Sequence, residues 1–256
     1  MRLSGNTILI TGGTSGIGRA LAERFHAAGN KVIVAGRRQA LLDEIAAANP
    51  GMVGYAADMD DAGGIEAFAA QIIADHPSLN VVIANAGIMR AEKAGARRDL
   101  RDAEETITTN LLAPIRLIDA LVDHLKGQED AAIVTVSSGL AFVPLAATPT
   151  YCATKAAIHS YTISLRHTLK DQVELIELIP PAVQTDLTPG QSTREGYMPL
   201  DDFIDEVMEL FAVIPTPPEI RVKNVAFLRD AEGEGRFSQA FDMLNANYER
   251  VTGISS

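Results

Sequence analysis

The chain contains Thr11-Gly12-Gly13-Thr14-Ser15-Gly16-Ile17-Gly18, a glycine-rich stretch between a short apolar run and an amphipathic run. The β-branched run at 7–11 predicts a buried strand, and the run at 17–28, rich in Ala, Leu, Glu and Arg, predicts a helix. Unpaired N–H groups and the positive dipole end at the start of such a helix suit a pyrophosphate, and glycines allow its close approach. This unit predicts a dinucleotide-binding fold. The alternative is a tight strand–helix connection that binds no ligand.

Apolar and amphipathic runs alternate along the rest of the chain. Strands are predicted at 31–35, 53–57, 81–84, 131–136 and 173–179, and helices at 39–48, 65–75, 100–125, 150–169 and 237–250. Near-continuous apolar strands separated by helices are typical of a parallel sheet with both faces covered. We therefore predict a Rossmann-like, doubly wound α/β/α sandwich of six or seven strands. The run at 220–228 leaves the seventh strand open.

The order of these runs predicts a single catalytic domain over residues 1–256, because no low-complexity linker divides the chain. Residues 180–199 are irregular and polar, which predicts a substrate loop or lid. Pro114 is expected to interrupt the helix at 100–125 locally, because proline lacks the N–H that a helix interior uses. The structure of residues 200–256 is otherwise left open.

Composition and charge argue against several classes of protein. The 256 residues carry a formal net charge of −11, which disfavours a broad surface for nucleic acid or anionic lipid. No apolar run approaches the roughly 18 residues of a membrane helix, and the N-terminus lacks the apolar core of a signal peptide. The single cysteine, Cys152, excludes an internal disulfide and a Cys-rich metal site. We expect a cytoplasmic protein with no metal.

The end of the second predicted strand distinguishes between the two nicotinamide dinucleotides. An NAD-binding unit usually has an Asp or Glu roughly 20 residues after the glycine motif, on the ribose 2′-hydroxyl. Arg37 and Arg38 stand there instead. Because a guanidinium can bind a 2′-phosphate bidentately, they favour NADP(H) over NAD(H). The alternative is a solvated pair that opens the next helix.

Further motifs follow the glycine-rich turn along the chain. They are Asn85-Ala86-Gly87, Asn110, Ser138 and Tyr151-x-x-x-Lys155, with Ser138 lying 13 residues before Tyr151. In this order and spacing the chain resembles the short-chain dehydrogenase/reductase family over about residues 5–190. Taken singly, each residue could be an ordinary turn, packing or solvated residue. The resemblance implies an oxidoreductase that uses a nicotinamide dinucleotide.

Tyr151 and Lys155 carry the predicted chemistry. Free tyrosine has a pKa near ~10 and is a poor base at neutral pH. On a helix Lys155 lies beside Tyr151, and a nearby cation lowers the pKa of a phenol, so Tyr151 becomes a usable general acid/base. Ser138 can donate a hydrogen bond to the same substrate oxygen. The resemblance implies that Lys155 also holds the nicotinamide ribose and that Asn110 positions a water that relays protons to Lys155.

The resemblance also implies a cofactor site spread over several loops. Asp58, followed by Met59, matches the family's adenine-contacting carboxylate, with a helix-capping acid as the alternative. The segment from Pro181 to Thr185 resembles the segment that borders the nicotinamide, although Ala182 replaces the usual glycine. The implied cofactor-binding residues are Gly12, Thr14, Ser15, Gly16, Ile17, Gly18, Arg37, Arg38, Asp58, Met59, Asn85, Ala86, Gly87, Tyr151, Lys155, Pro181, Val183 and Thr185.

The predicted activity is the NADP(H)-dependent interconversion of a ketone or aldehyde and an alcohol. The candidate pocket residues Leu140, Ala141, Phe142, Val143 and Leu187 are apolar and favour a hydrophobic small molecule, unless some of them only pack the loop bases. Two other activities stay open: a cofactor-sensing regulatory protein without turnover, and an epimerase or dehydratase. The family's usual pairing surface implies a homodimer or homotetramer through the helices at 100–125 and 150–169. The C-terminal third lacks the family's Asp-Gly-Gly segment and is atypical.

Overall fold

The computed structural model describes residues 1–252, and within them seven parallel strands form one sheet. The strands are β1 (Thr7–Thr11), β2 (Lys31–Gly36), β3 (Val53–Ala56), β4 (Val81–Ala84), β5 (Ala132–Val136), β6 (Glu174–Ile179) and β7 (Glu219–Arg221). They lie in the order β3-β2-β1-β4-β5-β6-β7. The predicted Rossmann-like parallel sheet is confirmed, with seven strands. The last four residues of the domain predicted at 1–256 lie outside the described residues.

Helices cover both faces of this sheet. They are α1 (Gly16–Ala27), α2 (Gln39–Ala48), α3 (Ala62–Asp75), α4 (Arg101–Ile107), α5 (Ala113–Lys126), α6 (Pro149–Thr168), α7 (Leu200–Phe211), α8 (Ala226–Arg229) and α9 (Phe237–Thr252). Ile8 and Ile10 of β1 belong to one apolar core with α1 and α7, whereas Leu9 belongs to the core with α3 and α5. Because successive side chains of a strand point to opposite faces, a strand buried on both faces must be apolar throughout.

The strand order reverses next to β1, and this reversal positions the site. β1 pairs with β2 on one side and with β4 on the other. Chains leaving the carboxyl ends of β1 and β4 turn to opposite faces of the sheet, which opens a crevice between them. The glycine-rich turn follows β1, and Asn85 follows β4, so both lie at this crevice.

The helix predicted at 100–125 is interrupted more strongly than expected. α4 ends at Ile107, a π-helical turn spans Thr108–Leu112, and α5 begins at Ala113. Pro114 is the second residue of α5 and follows the π turn directly, since the Ala113 N–H still donates to the Thr108 carbonyl. The π turn carries Asn110, one of the predicted catalytic residues.

The C-terminal part contains elements that the sequence left open. α7 packs Phe203, Ile204 and Phe211 into the core, and the Phe211 ring lies edge-on to Phe25 with 5.4 Å between ring centroids. β7 has three residues, and the run at 220–228 continues as a short turn and α8 rather than as a long strand. None of the helices within residues 1–252 is long and apolar enough to cross a bilayer.

Candidate active site

A cleft of about 630 Å³ opens at the carboxyl edge of the sheet and is lined by segments that follow β1 to β6. All the predicted catalytic and cofactor-binding residues line it except Asn110. The fold therefore brings together residues that lie as far apart in sequence as Gly12 and Thr185. The cleft is also lined by Pro180, Asp186 and Gln191 of the predicted substrate loop. The sequence did not suggest the remaining lining residues, which are Gly36, Ala57, Asp60, Ile88, Thr109, Val136 and Ser137.

The glycine-rich turn is packed tightly against the loop that follows β4. Gly12 has a φ of +65°, and a Cβ atom on it would lie 2.8 Å from Cα of Ala86. A Cβ on Gly18 would lie 2.4 Å from Nδ2 of Asn85. The Nδ2 group of Asn85 also donates to the Thr11 carbonyl at 3.0 Å. A side chain at either glycine would therefore separate the two loops that frame the cleft.

The start of α1 has the donors that a pyrophosphate needs. Its first residues, Gly16, Ile17 and Gly18, line the cleft. Ser15 precedes them in an extended conformation, and its side chain makes no capping hydrogen bond to α1. First-turn N–H groups have no partner within their own helix, so an anion can accept from them. The residues present fit the diphosphate of a dinucleotide.

Arg37 and Arg38 lie at the far end of the cleft. Nη2 of Arg38 donates to Oγ1 of Thr14 at 3.3 Å and lies 3.4 Å from Oγ of Ser15. Nη1 of Arg37 lies 3.8 Å from a carboxylate oxygen of Asp60, and the Arg37 side chain is 65% exposed. Asp58 also lines this end. The Arg38 guanidinium thus contacts the glycine-rich turn, whereas the Arg37 guanidinium lies beside the Asp60 carboxylate.

Tyr151 and Lys155 lie one turn apart on α6, and both are buried. Nζ of Lys155 donates to the Val136 carbonyl at 2.8 Å and lies 5.6 Å from the centroid of the Tyr151 ring. Burial raises the pKa of Tyr151 to about 12, although a hydrogen bond with Ser138 lowers it in part. Burial lowers the pKa of Lys155 to about 8. The expected lowering of the Tyr151 pKa does not occur in the protein alone, because desolvation outweighs the effect of Ser138.

Ser138 begins the short helical turn Gly139–Ala141 after β5. Its Oγ accepts a hydrogen bond from the backbone N–H of Leu140 at 3.1 Å. Ser138 also lies near enough to the Tyr151 phenol to lower its pKa in part. Ser138 can therefore hold a substrate oxygen next to the phenol that exchanges its proton.

Asn110 holds the loop after β4 rather than lining the cleft. Its Oδ1 accepts from the Ile88 backbone N–H, and its Nδ2 donates to the Ile88 carbonyl, both at 2.8 Å. A Cβ placed on Gly87 would lie 3.3 Å from Asn110 Oδ1 and 3.7 Å from Lys155 Nζ. Asn110 is thus close to Lys155, but its amide is engaged with the backbone. The water relay stays a prediction.

Residues 6–196 match the family model of the short chain dehydrogenases. The chain belongs to the short-chain dehydrogenase/reductase family. It is 39% identical over 250 residues to the uncharacterized oxidoreductase DltE of Bacillus subtilis, covering 96% of this chain and 98% of DltE. Family membership makes it an oxidoreductase.

Two solved structures share the fold of this family member. A short chain dehydrogenase from Burkholderia cenocepacia in complex with NADP superposes with a TM-score of 0.80 at 22% identity, covering 96% of this chain and 99% of that one. A 3-ketoacyl-(acyl-carrier-protein) reductase from Brucella melitensis complexed with NADH gives a TM-score of 0.75 at 23% identity, covering 85% and 96%. The first likeness extends through the C-terminal third.

An apolar cluster lies beside Tyr151, and the sequence did not reveal that α9 contributes to it. Tyr151 and Cys152 share an apolar cluster with Met89, Leu140 and Leu145. Leu244 and Tyr248 of α9 pack against the same cluster. Their spacing of four residues, one helical turn, was a signal for one buried helix face, but it did not indicate which surface that face covers.

Two of the predicted pocket residues are used for packing instead. Val143 is fully buried with Ala231 and Ala240. The Phe142 ring packs against His159 and Arg229. Leu140 stays beside Tyr151, and Leu187 lines the cleft. The apolar surface beside Tyr151 and the cleft therefore comes from Leu140, Leu187 and α9 rather than from the whole run at 140–143.

Proposed function

We propose that this oxidoreductase uses NADP(H) to interconvert a ketone or aldehyde and an alcohol. The observation that carries the proposal is that Ser138, Tyr151 and Lys155 line the same cleft as the glycine-rich turn, with Tyr151 and Lys155 one helical turn apart. A donor pair aimed at one oxygen is what proton transfer to a carbonyl requires.

In carbonyl reduction, the Tyr151 hydroxyl donates its proton to the substrate oxygen, and in alcohol oxidation the phenolate accepts it. Ser138 donates a hydrogen bond to the same oxygen and stabilises its developing negative charge. The bound nicotinamide supplies the hydride in reduction and accepts it in oxidation. The Lys155 ammonium holds the nicotinamide ribose and favours the Tyr151 phenolate. Asn110 positions a water beside Lys155 for proton exchange.

The preference for NADP(H) rests on Arg37 and Arg38. Both side chains border the cleft, where they can pair with a 2′-phosphate, and β2 ends without a carboxylate. Asp60, 3.8 Å from Arg37, is the opposing charge that the sequence did not suggest. The two structural neighbours contain NADP and NADH, so they do not distinguish between the cofactors.

The substrate class and the assembly are further parts of the proposal. Met89, Leu140, Leu187 and α9 favour a hydrophobic small molecule. Large apolar side chains on or beside α4 to α6 are exposed in the single chain, namely Leu100, Ile107, Leu112 and Ile163. They support pairing of these helices in a homodimer or homotetramer. We also propose one catalytic domain with residues 180–199 as the substrate loop, and a cytoplasmic location.

A screen of aryl and alkyl ketones and aldehydes tests the activity. NADPH oxidation is measured with the purified full chain, and the alcohol product is identified. Stoichiometric loss of NADPH and formation of the alcohol are expected. Tight NADPH binding without turnover across the panel would instead support a cofactor-sensing protein. Isomerised or dehydrated product without net NADPH loss would support an epimerase or dehydratase.

A further inference from the structure

A buried carboxylate lies behind the catalytic loop, outside the proposed chemistry. Glu177 of β6 is fully buried. Ser137, next to the catalytic Ser138, donates its hydroxyl to Oε1 of Glu177 at 2.5 Å. Nδ1 of His159 on α6 lies 2.8 Å from Oε2. A buried charge is costly unless it is paired and hydrogen-bonded, so this carboxylate depends on both partners.

A second chain of contacts joins this carboxylate to the other end of the catalytic loop. The His159 ring lies edge-on to Phe142, with 4.7 Å between centroids. The Arg229 guanidinium lies 4.5 Å from the Phe142 ring and makes two hydrogen bonds to Glu219, at 2.7 and 3.0 Å. Phe142 ends the turn that begins at Ser138. The atypical C-terminal part, through β7 and α8, therefore contacts the catalytic loop.

The donors of this cluster are already used by the protein. The ligand-type atoms of His159, Glu177 and Glu219 lie within 4.8 Å of one another, as metal ligands can. However, Ser137 and His159 engage Glu177, and Arg229 engages Glu219. The cluster contains two carboxylates, one guanidinium and one imidazole, so each carboxylate already has a partner within the cluster. Its geometry favours a positioning role over cation binding.

Ser138 lies between Ser137, which hydrogen-bonds to Glu177, and Phe142, which packs against His159 and Arg229. The loop between them has little freedom, because a Cβ on Gly139 would lie 3.0 Å from side-chain atoms of both Leu228 and Val225. The Gly139 N–H also donates to the Pro180 carbonyl at 2.9 Å. A small shift of Ser137 would therefore be passed to Ser138 rather than absorbed by the loop.

We propose that Glu177 is a positioning residue for Ser138. By holding Ser137 and His159, it fixes the loop from Ser138 to Phe142 so that the Ser138 hydroxyl meets the oxygen that Tyr151 protonates. This inference rests on the proposed function for its effect on turnover, but the contact between Ser138 and Tyr151 can be measured without any substrate.

The test compares Glu177→Ala, Glu177→Gln and Ser137→Ala with Ser138→Ala and a matched control. Thr135→Val is the control: Thr135 of β5 lies opposite Glu177 of β6 in the sheet, but its hydroxyl makes a buried 2.7 Å hydrogen bond to Thr162 of α6 rather than to the Glu177 side chain. The full chain is labelled with carbon-13 at the tyrosine ζ carbon, and Tyr151→Phe assigns the Tyr151 signal. The ζ-carbon shift reports the hydrogen bonding of the phenol at neutral pH, where all variants are compared.

We expect the Tyr151 signal of Glu177→Ala and Ser137→Ala to move from the wild-type position towards that of Ser138→Ala. Glu177→Gln keeps an oxygen acceptor for Ser137 and should move less, and Thr135→Val should stay at the wild-type position. With a turned-over substrate, kcat of Ser137→Ala should fall about tenfold, or ~1.4 kcal/mol, with an unchanged Kd for NADPH.

A Tyr151 signal that stays at the wild-type position in both Glu177→Ala and Ser137→Ala overturns the inference. So does an equal shift in Thr135→Val, because that would show a general loosening of β5 and α6. If Glu177→Ala does not fold, Glu177→Gln and Ser137→Ala decide the outcome. Failure of the wild type to reduce any carbonyl would contradict the proposed function but leave the spectroscopic result intact.

Discussion

Nζ of Lys155 donates to the Val136 carbonyl at 2.8 Å and lies 5.6 Å from the centroid of the Tyr151 ring. The ammonium is thus anchored to the end of β5, beside the phenol that it is expected to assist. Burial pushes the pKa of Tyr151 up to about 12 and that of Lys155 down to about 8, each towards its neutral form. At neutral pH, Tyr151 is therefore a neutral phenol, whereas Lys155 is still mostly an ammonium, held in a buried site that disfavours its charge.

Lys155 should therefore weaken the fold at neutral pH. Its folded-state pKa of about 8 lies below the ordinary 10.5, because burial disfavours the ammonium. The contribution of Lys155 to the free energy of unfolding is therefore highest above pH 10.5, where Lys155 is neutral in both the folded and the unfolded state, and it declines as the pH falls to about 8. The free energy of unfolding of Lys155→Met, relative to that of the wild type, is expected to be about 3 kcal/mol higher at pH 7 than at pH 10.5. Urea unfolding at the two pH values measures this. An equal difference at both would show that the ammonium is not desolvated.

Arg37→Ala should weaken NADPH binding about tenfold and NADH binding much less. A charge-assisted hydrogen bond to the 2′-phosphate contributes about 1.5–3 kcal/mol, and NADH lacks that phosphate. Fluorescence titration of the two dinucleotides gives both dissociation constants. The control is Arg24→Ala, which removes an exposed ion pair with Asp205 on α7, away from the cleft. An equal loss for NADPH and NADH would contradict the assignment of a 2′-phosphate site.

Gly12→Ala should impair cofactor binding by separating the two loops of the cleft. Its Cβ would lie 2.8 Å from Cα of Ala86, and its φ of +65° adds strain. Gly5→Ala is a matched control, because Gly5 has a φ of +76° but no atom within 4 Å of such a Cβ. Both variants should lose about 1 kcal/mol of stability or more from the backbone strain. Only Gly12→Ala should bind NADPH more weakly, and equal binding in the two variants would rule out the close approach as the cause.

Leu244→Ala should raise KM for apolar substrates several-fold while Kd for NADPH stays unchanged. Leu244 belongs to the cluster around Tyr151, whereas its neighbour Met243 is 53% exposed and serves as the control variant Met243→Ala. Steady-state kinetics with the ketone of the panel that is reduced fastest give KM for both variants. If both variants have the same KM, α9 does not form a wall of the substrate site.

The strand–turn–helix unit and most of the sheet could be predicted from the sequence because their signals are local. The apolar run of β1 and the glycines after it specify their own conformation, and α2 and β4 end where the pattern indicated. Site residues such as Ser138 and Tyr151 could be named from their spacing. Their environment could not, since the high pKa of Tyr151 arises from burial by residues distant in sequence.

The elements that sequence reasoning missed depend on tertiary contacts. The π turn at Thr108–Leu112 aims Asn110 at Ile88, 22 residues earlier in the chain. Glu177 was visible as an acidic residue in the interior of a mostly apolar strand that begins with Glu174, but its partner Ser137 lies 40 residues away. β7, with three residues, is too short to show a periodic pattern.

The most direct test of the proposed chemistry compares the wild-type protein with Tyr151→Phe, in which only the phenolic oxygen is removed. The rate of NADPH oxidation with a carbonyl substrate is measured together with Kd for NADPH. We expect kcat to fall by about a thousandfold or more, as for loss of a general acid, while Kd changes by less than about twofold. Turnover by Tyr151→Phe close to that of the wild type would contradict the account.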